Sequence, residues 1–121
     1  MKQLLLVFIG GGTGSVARYL ISKFLNQNLY NFPFGTLTVN IIGSLLIGVI
    51  LGLSLKANSL SQNTVLLLAT GFCGGFTTFS SFAYENQIML KNGDLWSLFI
   101  YTAGSFILGL LAVFLGMFLS K

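Results

Sequence analysis

Few residues in this chain can do chemistry, and their types exclude most of it. There is no histidine, and the only carboxylates are Glu85 and Asp94. A buried general acid–base pair, a zinc site or a Ser-His-Asp triad cannot be assembled from that inventory, so the chain is not read as an enzyme. The single Cys73 sits in an apolar stretch with no partner for a disulfide or redox motif, and reads as a small packing residue. What remains is a set of neutral polar residues embedded in apolar sequence. Thr36, Asn40 and Ser44 are four apart, as are Ser81 and Glu85, and Tyr101 and Ser105. That spacing puts each set on one face of a helix.

Two chemistries fit such a set. Asn40 offers two N–H groups without a charge, which suits a partly dehydrated anion. Equally, an Asn within a small-residue stripe continuing to Gly48 and Gly52 can bond from helix to helix. Phe79 and Phe82, three apart, are either ordinary lipid-facing rings or rings whose positive edges face an anion without trapping it. Glu85 has a firmer claim to function, because ionisable residues within apolar spans are costly. Arg18 is either functional or a snorkelling residue near a helix end.

The elements that must carry these residues follow from composition. Of 121 residues, 55% are hydrophobic and 7% charged, with a mean hydropathy of +0.90. A soluble domain carries about 25% charged residues. Four apolar runs, at about 4–25, 34–55, 64–90 and 95–119, are long enough to cross a membrane and too long for barrel strands. Breaks rich in Asn, Gly, Pro or Ser separate them: NQNLYN before Pro33, KANSLSQN after Leu55, and KNGD at Lys91 to Asp94. The expectation is an all-α integral membrane protein, one four-helix domain over 1–121, with no soluble domain. The net charge of +4 is dispersed, which suits basic span ends rather than nucleic acid.

Two other readings compete near the amino terminus. Lys2, the run LLLVFI and the SVA at Ser15 to Ala17 loosely fit a signal peptide, but the apolar core is short and apolar sequence resumes at Tyr19. Gly12 to Ala17 match G-x-G-x-x-A, yet no acid follows about 20 residues later, as dinucleotide binding requires. Gly10 with Gly14, and Gly11 with Ser15, instead have the small-xxx-small spacing of close helix packing.

The third run is the anomalous one. A continuous helix over 64–90 would be about 40 Å long, against roughly 30 Å of hydrocarbon. Its middle, GFCGGFTTFSSF at Gly71 to Phe82, suits an interrupted helix, whose freed backbone groups would suggest an ion site. A straight tilted helix with packing glycines is the alternative, and the interrupted helix is the favoured reading.

Taken together, these segments resemble the Fluc (CrcB) fluoride channels. GGGTGSVARY at Gly10 to Tyr19, FGTLTVNIIGSLLIG at Phe34 to Gly48 and GFCGGFTTFSSF followed by Glu85 are similar to the signatures of that family's first three helices. The resemblance implies a third helix broken mid-membrane and an antiparallel, dual-topology homodimer with two pores. It implies passive, fluoride-selective efflux that lowers cytoplasmic fluoride across the bacterial inner membrane. Asn40 would be the pore asparagine, and Phe79 and Phe82 the paired rings along each pathway. Thr36, Ser81 and Glu85 fall on the family's polar track, Tyr101 and Ser105 match positions near the pore, and Arg18 matches an arginine of the electropositive approach. A structural sodium ion, not transported, would be held by backbone carbonyls of Gly74 and Thr77.

Charge independently allows dual topology. Lys2, Lys56 and Lys121 would share one side, against Lys23 and Lys91, with Arg18 if it reaches that end, so the positive-inside bias nearly cancels. The competing class is a four-span, proton-coupled drug exporter of similar size. That group relies on a first-span glutamate, where this chain has Arg18 and no acid.

Overall fold

A computed structural model describes residues 1–26, 32–56 and 59–121. Residues 27–31 of the first predicted break, and 57 and 58 of the second, lie outside the described residues. The described residues form α1 (Lys2–Leu25), α2 (Phe34–Ser54), α3 (62–76), α4 (Ser80–Lys91) and α5 (Leu95–Leu119). Among the described residues four helical stretches are long and apolar enough to cross a membrane, α3 and α4 counting as one over Gln62–Lys91. The all-helical expectation holds, with boundaries within about two residues of those read from hydropathy. Backbone polarity explains it: in hydrocarbon each N–H and C=O must be satisfied within its own segment, and a helix does this.

Local signals set the helix ends. Ser61 Oγ accepts the Thr64 N–H at 3.1 Å and starts α3. The KNGD break turns at Gly93, whose φ of 76° favours glycine. Asp94 then accepts the Ser97 N–H at 3.2 Å and starts α5.

Regular helix does not persist through the glycine-rich run. Leu66–Cys73 adopt wider π-helical turns, and Gly74–Phe76 close the last turn of α3. Thr77 is extended (φ −86°, ψ 160°), and helical structure resumes at Ser80.

Glycines set how closely the helices approach. At Gly14 an added Cβ would meet the Phe72 carbonyl oxygen and lie 2.9 Å from the Phe76 nitrogen; at Gly10 it would meet the Leu67 carbonyl oxygen. The helix-packing reading of Gly10 and Gly14 is borne out, and the Gly12–Ala17 motif lies within α1 rather than in a strand-to-helix turn. α2 and α5 pack the same way, since a Cβ on Gly116 would meet the Leu45 carbonyl oxygen and come 2.7 Å from the Val49 nitrogen. Apolar side chains such as Phe8, Phe24, Leu110 and Phe114 cover the outer faces of α1 and α5.

These contacts are with backbone, which cannot swing aside. Gly14→Ala should therefore destabilise the detergent-solubilised protein by about 1–3 kcal/mol, the usual cost of overpacking. Gly12, where an added Cβ meets nothing within 4 Å, is the control. Gly12→Ala should hold or raise the thermal midpoint, because alanine favours helix by up to about 1 kcal/mol. Equal midpoints for the two variants would overturn the close-approach account.

Candidate functional site

The interruption after Phe76 releases backbone groups that a helix would have paired, and side chains of α1 and α2 take them. In a continuous helix the Thr78 N–H would bond the Gly74 carbonyl. Here it donates to Asn40 Oδ1 at 2.8 Å, while Asn40 Nδ2 donates to the Thr78 carbonyl at 3.0 Å. One amide thus grips both sides of one residue. Ser44 Oγ donates to the Asn40 carbonyl at 2.7 Å.

The Gly75 carbonyl would have accepted the Phe79 N–H of a continuous helix. Instead it accepts Arg18 Nε at 3.0 Å and Ser15 Oγ at 3.4 Å. Arg18 is therefore turned into the protein at the interruption. The Cys73 carbonyl accepts both the Thr77 N–H at 3.0 Å and Thr77 Oγ1 at 2.9 Å. On the far side, Thr78 Oγ1 accepts the Ser81 N–H at 3.2 Å, helping α4 begin.

A groove of about 410 Å³ lies along this region, and Asn40, Gly74, Thr77, Phe79, Phe82 and Ser105 are among its walls. The two phenyl rings sit 5.9 Å apart at 43°. Their environments differ sharply: Phe82 is 8% exposed, its ring against Tyr101 at 5.0 Å, whereas Phe79 is 74% exposed. Ser105 Oγ is buried and has no hydrogen-bond partner among the described residues. The groove therefore offers neutral amide and hydroxyl groups and ring edges.

Glu85 belongs to a second cluster. Its carboxylate accepts Thr36 Oγ1 at 2.7 Å and Tyr101 OH at 2.7 Å. Thr36 is 2% exposed and Tyr101 fully buried, so an intramembrane acid is bracketed by two hydroxyl donors from different helices. Glu85 also borders a second cavity of about 650 Å³, with Asn26, Tyr84 and Asp94.

Of the residues singled out from sequence, the structure therefore brings together Thr36, Glu85 and Tyr101 in one cluster. Asn40, Phe79, Phe82 and Ser105 line the groove, with Gly74 and Thr77 in its wall. Ser81 stands one turn from Glu85, and no hydrogen bond joins their side chains among the described residues.

Sequence reasoning missed Thr78, whose backbone is what Asn40 holds. It also missed a second rung between α4 and α5, where Thr102 Oγ1 donates to Asn86 Oδ1 at 3.0 Å. The one available signal was that Asn86 and Thr102 are polar residues next to Glu85 and Tyr101 in spans of low polarity.

Tyr101→Phe tests the Glu85 cluster. It removes a donor from a half-buried acid, and a hydrogen bond to a charged group is worth about 1.5–3 kcal/mol. The thermal midpoint should fall accordingly. The loss should shrink when Glu85→Gln is already present, because residues in direct contact couple. Additive losses would separate the two residues energetically.

Residues 5–117 match the family described as CrcB-like protein, Camphor Resistance (CrcB). The chain belongs to the CrcB family. Among its CrcB relatives, one from Gloeothece citriformis named fluoride-specific ion channel FluC is 52% identical over all of this chain and 98% of its own length. Relatives of the same name from Phocaeicola vulgatus and Prosthecochloris aestuarii are each 48% identical. They are matched over 100% and 94% of their lengths, and over 100% and 99% of this chain. The resemblance drawn from the three helix motifs is borne out. With four helices able to span, this CrcB family member is a multi-pass protein of a bacterial membrane.

Proposed function

We propose that this protein is a fluoride-selective channel through which fluoride leaves the cytoplasm passively. The observation that carries this reading is the match, over essentially the full length of both chains, to relatives named fluoride-specific ion channels. The groove supports it chemically. Fluoride sheds part of its water to the second N–H of Asn40, to the Ser105 hydroxyl and to the ring edges of Phe79 and Phe82. Each is a weak neutral donor, so the ion enters and leaves without being trapped. Thr36, Ser81, Glu85 and Tyr101 continue the polar track beyond Phe82, and Arg18 supplies positive charge near the interruption.

The functional unit in this reading is an antiparallel homodimer with the interruption at mid-membrane. The exposure of Phe79, a ring expected to face the ion, supports a second copy covering that surface. A two-fold axis in the membrane plane brings two interruptions together, the geometry of inverted repeats. A sodium ion fits there. Among the described residues no group of three or more His, Cys, Asp or Glu side chains could hold a metal, so neutral oxygens must do so. The Thr78 N–H is diverted from Gly74, and the Gly74 and Thr77 carbonyls of two copies are the oxygens available.

Purified protein in liposomes loaded with potassium fluoride, opened to ion flow with a potassium ionophore, tests the central reading. Fluoride should appear at an external electrode within seconds to minutes, while chloride stays inside. Equal release of both anions, or none, would overturn it.

A further inference from the structure

We infer that Asn40 is a positioning residue for the interruption as well as a groove donor, and that it keeps the Gly74 carbonyl open to a cation. The inference rests on the sodium reading above and extends it to the residue that makes the cation site available.

Thr78 holds the decisive groups. Its N–H is the one that would close a helical turn onto the Gly74 carbonyl. Asn40 Oδ1 takes that N–H at 2.8 Å, and Asn40 Nδ2 takes the carbonyl of the same residue at 3.0 Å. Thr77, extended between Gly74 and Thr78, is the backbone consequence. Ser44, hydrogen-bonded to the Asn40 carbonyl, braces the clamp from one turn further along α2. An amide side chain is suited to this task, because it presents one acceptor and one donor side by side, as a strand neighbour would. Without the acceptor, the half-buried Thr78 N–H would lose its partner, which costs free energy. Its nearest remedy is the Gly74 carbonyl, and that bond would withdraw the oxygen from any cation. Gly74 itself is exposed on the groove side. Its oxygen is therefore controlled from α2, by the same amide whose remaining N–H faces the anion path. Cation binding and anion conduction are coupled through this one side chain.

The acceptor and donor halves of the amide can be separated by substitution. Asn40→Ala removes both. Asn40→Asp keeps an oxygen for the Thr78 N–H and loses the donor. The readout is stabilisation by the ion rather than transport: the thermal midpoint of the purified protein is followed as sodium replaces N-methylglucamine at constant ionic strength. Wild-type protein should be stabilised by sodium, and so should Asn40→Asp, although its fluoride efflux is lost. Asn40→Ala should need at least tenfold more sodium for the same shift. Phe82→Ile, which leaves the clamp untouched, should slow efflux and keep the wild-type sodium response. Should Asn40→Ala fail to purify, Asn40→Ser and Asn40→Asp carry the comparison. Serine is too short to hold both Thr78 groups, so Asn40→Ser should also lose sodium sensitivity. Wild-type sodium sensitivity in Asn40→Ala or Asn40→Ser, or its loss in Asn40→Asp, overturns the inference and leaves the sodium site standing. A wild-type protein indifferent to sodium overturns both.

Discussion

Asn40→Asp should reduce fluoride efflux about a thousandfold. The substitution changes one atom in a side chain whose partners are known: Nδ2 lies 3.0 Å from the Thr78 carbonyl, and the residue lines the groove. A carboxylate there accepts and does not donate, so the Thr78 carbonyl loses its partner and faces a negative charge. The larger effect falls on the ion. Two unit charges about 4 Å apart, at the effective dielectric of a protein site, repel by about 4 kcal/mol. Each 1.36 kcal/mol added to a barrier costs a factor of ten, which makes about three decades. Phe82→Ile keeps bulk and removes a positive ring edge, and its expected loss is smaller, about tenfold. Electrode-recorded efflux from liposomes measures both. Unfolding is excluded by checking that the Asn40→Asp protein elutes as wild type does. Efflux within tenfold of wild type from well-folded Asn40→Asp protein would show that this amide does not face the ion.

A protein forced into one orientation should lose activity altogether, and regain it when an oppositely oriented copy is supplied. Lys2, Lys56 and Lys121 oppose Lys23 and Lys91 across the membrane, so the native chain has little topological bias. Arg18 does not restore one, because its guanidinium is turned into the protein at Gly75. Adding several lysines or arginines at the amino terminus should drive every copy one way. Parallel copies cannot bring the two interruptions to a common in-plane axis, and Phe79 stays uncovered. Efflux should fall to background in cells or liposomes carrying this variant alone. Co-expression with a variant biased the other way should restore most of it. Full efflux from a verified single-orientation population would disprove the antiparallel arrangement.

How much of this could be read from residues alone differs by feature. Hydropathy located all four spans, because apolar runs of this length in a membrane must close their hydrogen bonds as helices, whatever surrounds them. Turn residues located the break at Gly93 and Asp94 for the same reason: a positive φ and a helix cap are local demands. The packing of Gly10 and Gly14 was legible because small residues four apart share one helix face. Thr36, Asn40, Glu85, Tyr101 and Ser105 stood out because a polar group in hydrocarbon needs a reason.

What the tertiary structure decided is whom each of those groups touches. Thr36 and Glu85 are 49 residues apart, Asn40 and Thr78 are 38 apart, and Arg18 and Gly75 are 57 apart. No periodicity within one helix reports on such pairs. Their meeting depends on how α1 and α2 are rotated and how far each is slid against α3 and α4. The backbone contact at Gly14 sets that register for α1, and the Thr77 side chain against Gly43 sets it for α2. The same register turns Arg18 into the protein rather than toward a helix end, while Ser105 Oγ on α5 has no hydrogen-bond partner among the described residues. The sequence determined that polar groups would lie inside the membrane. Helix rotation and slide, which belong to the assembled fold, decided that the Asn40 amide would close on the backbone of Thr78.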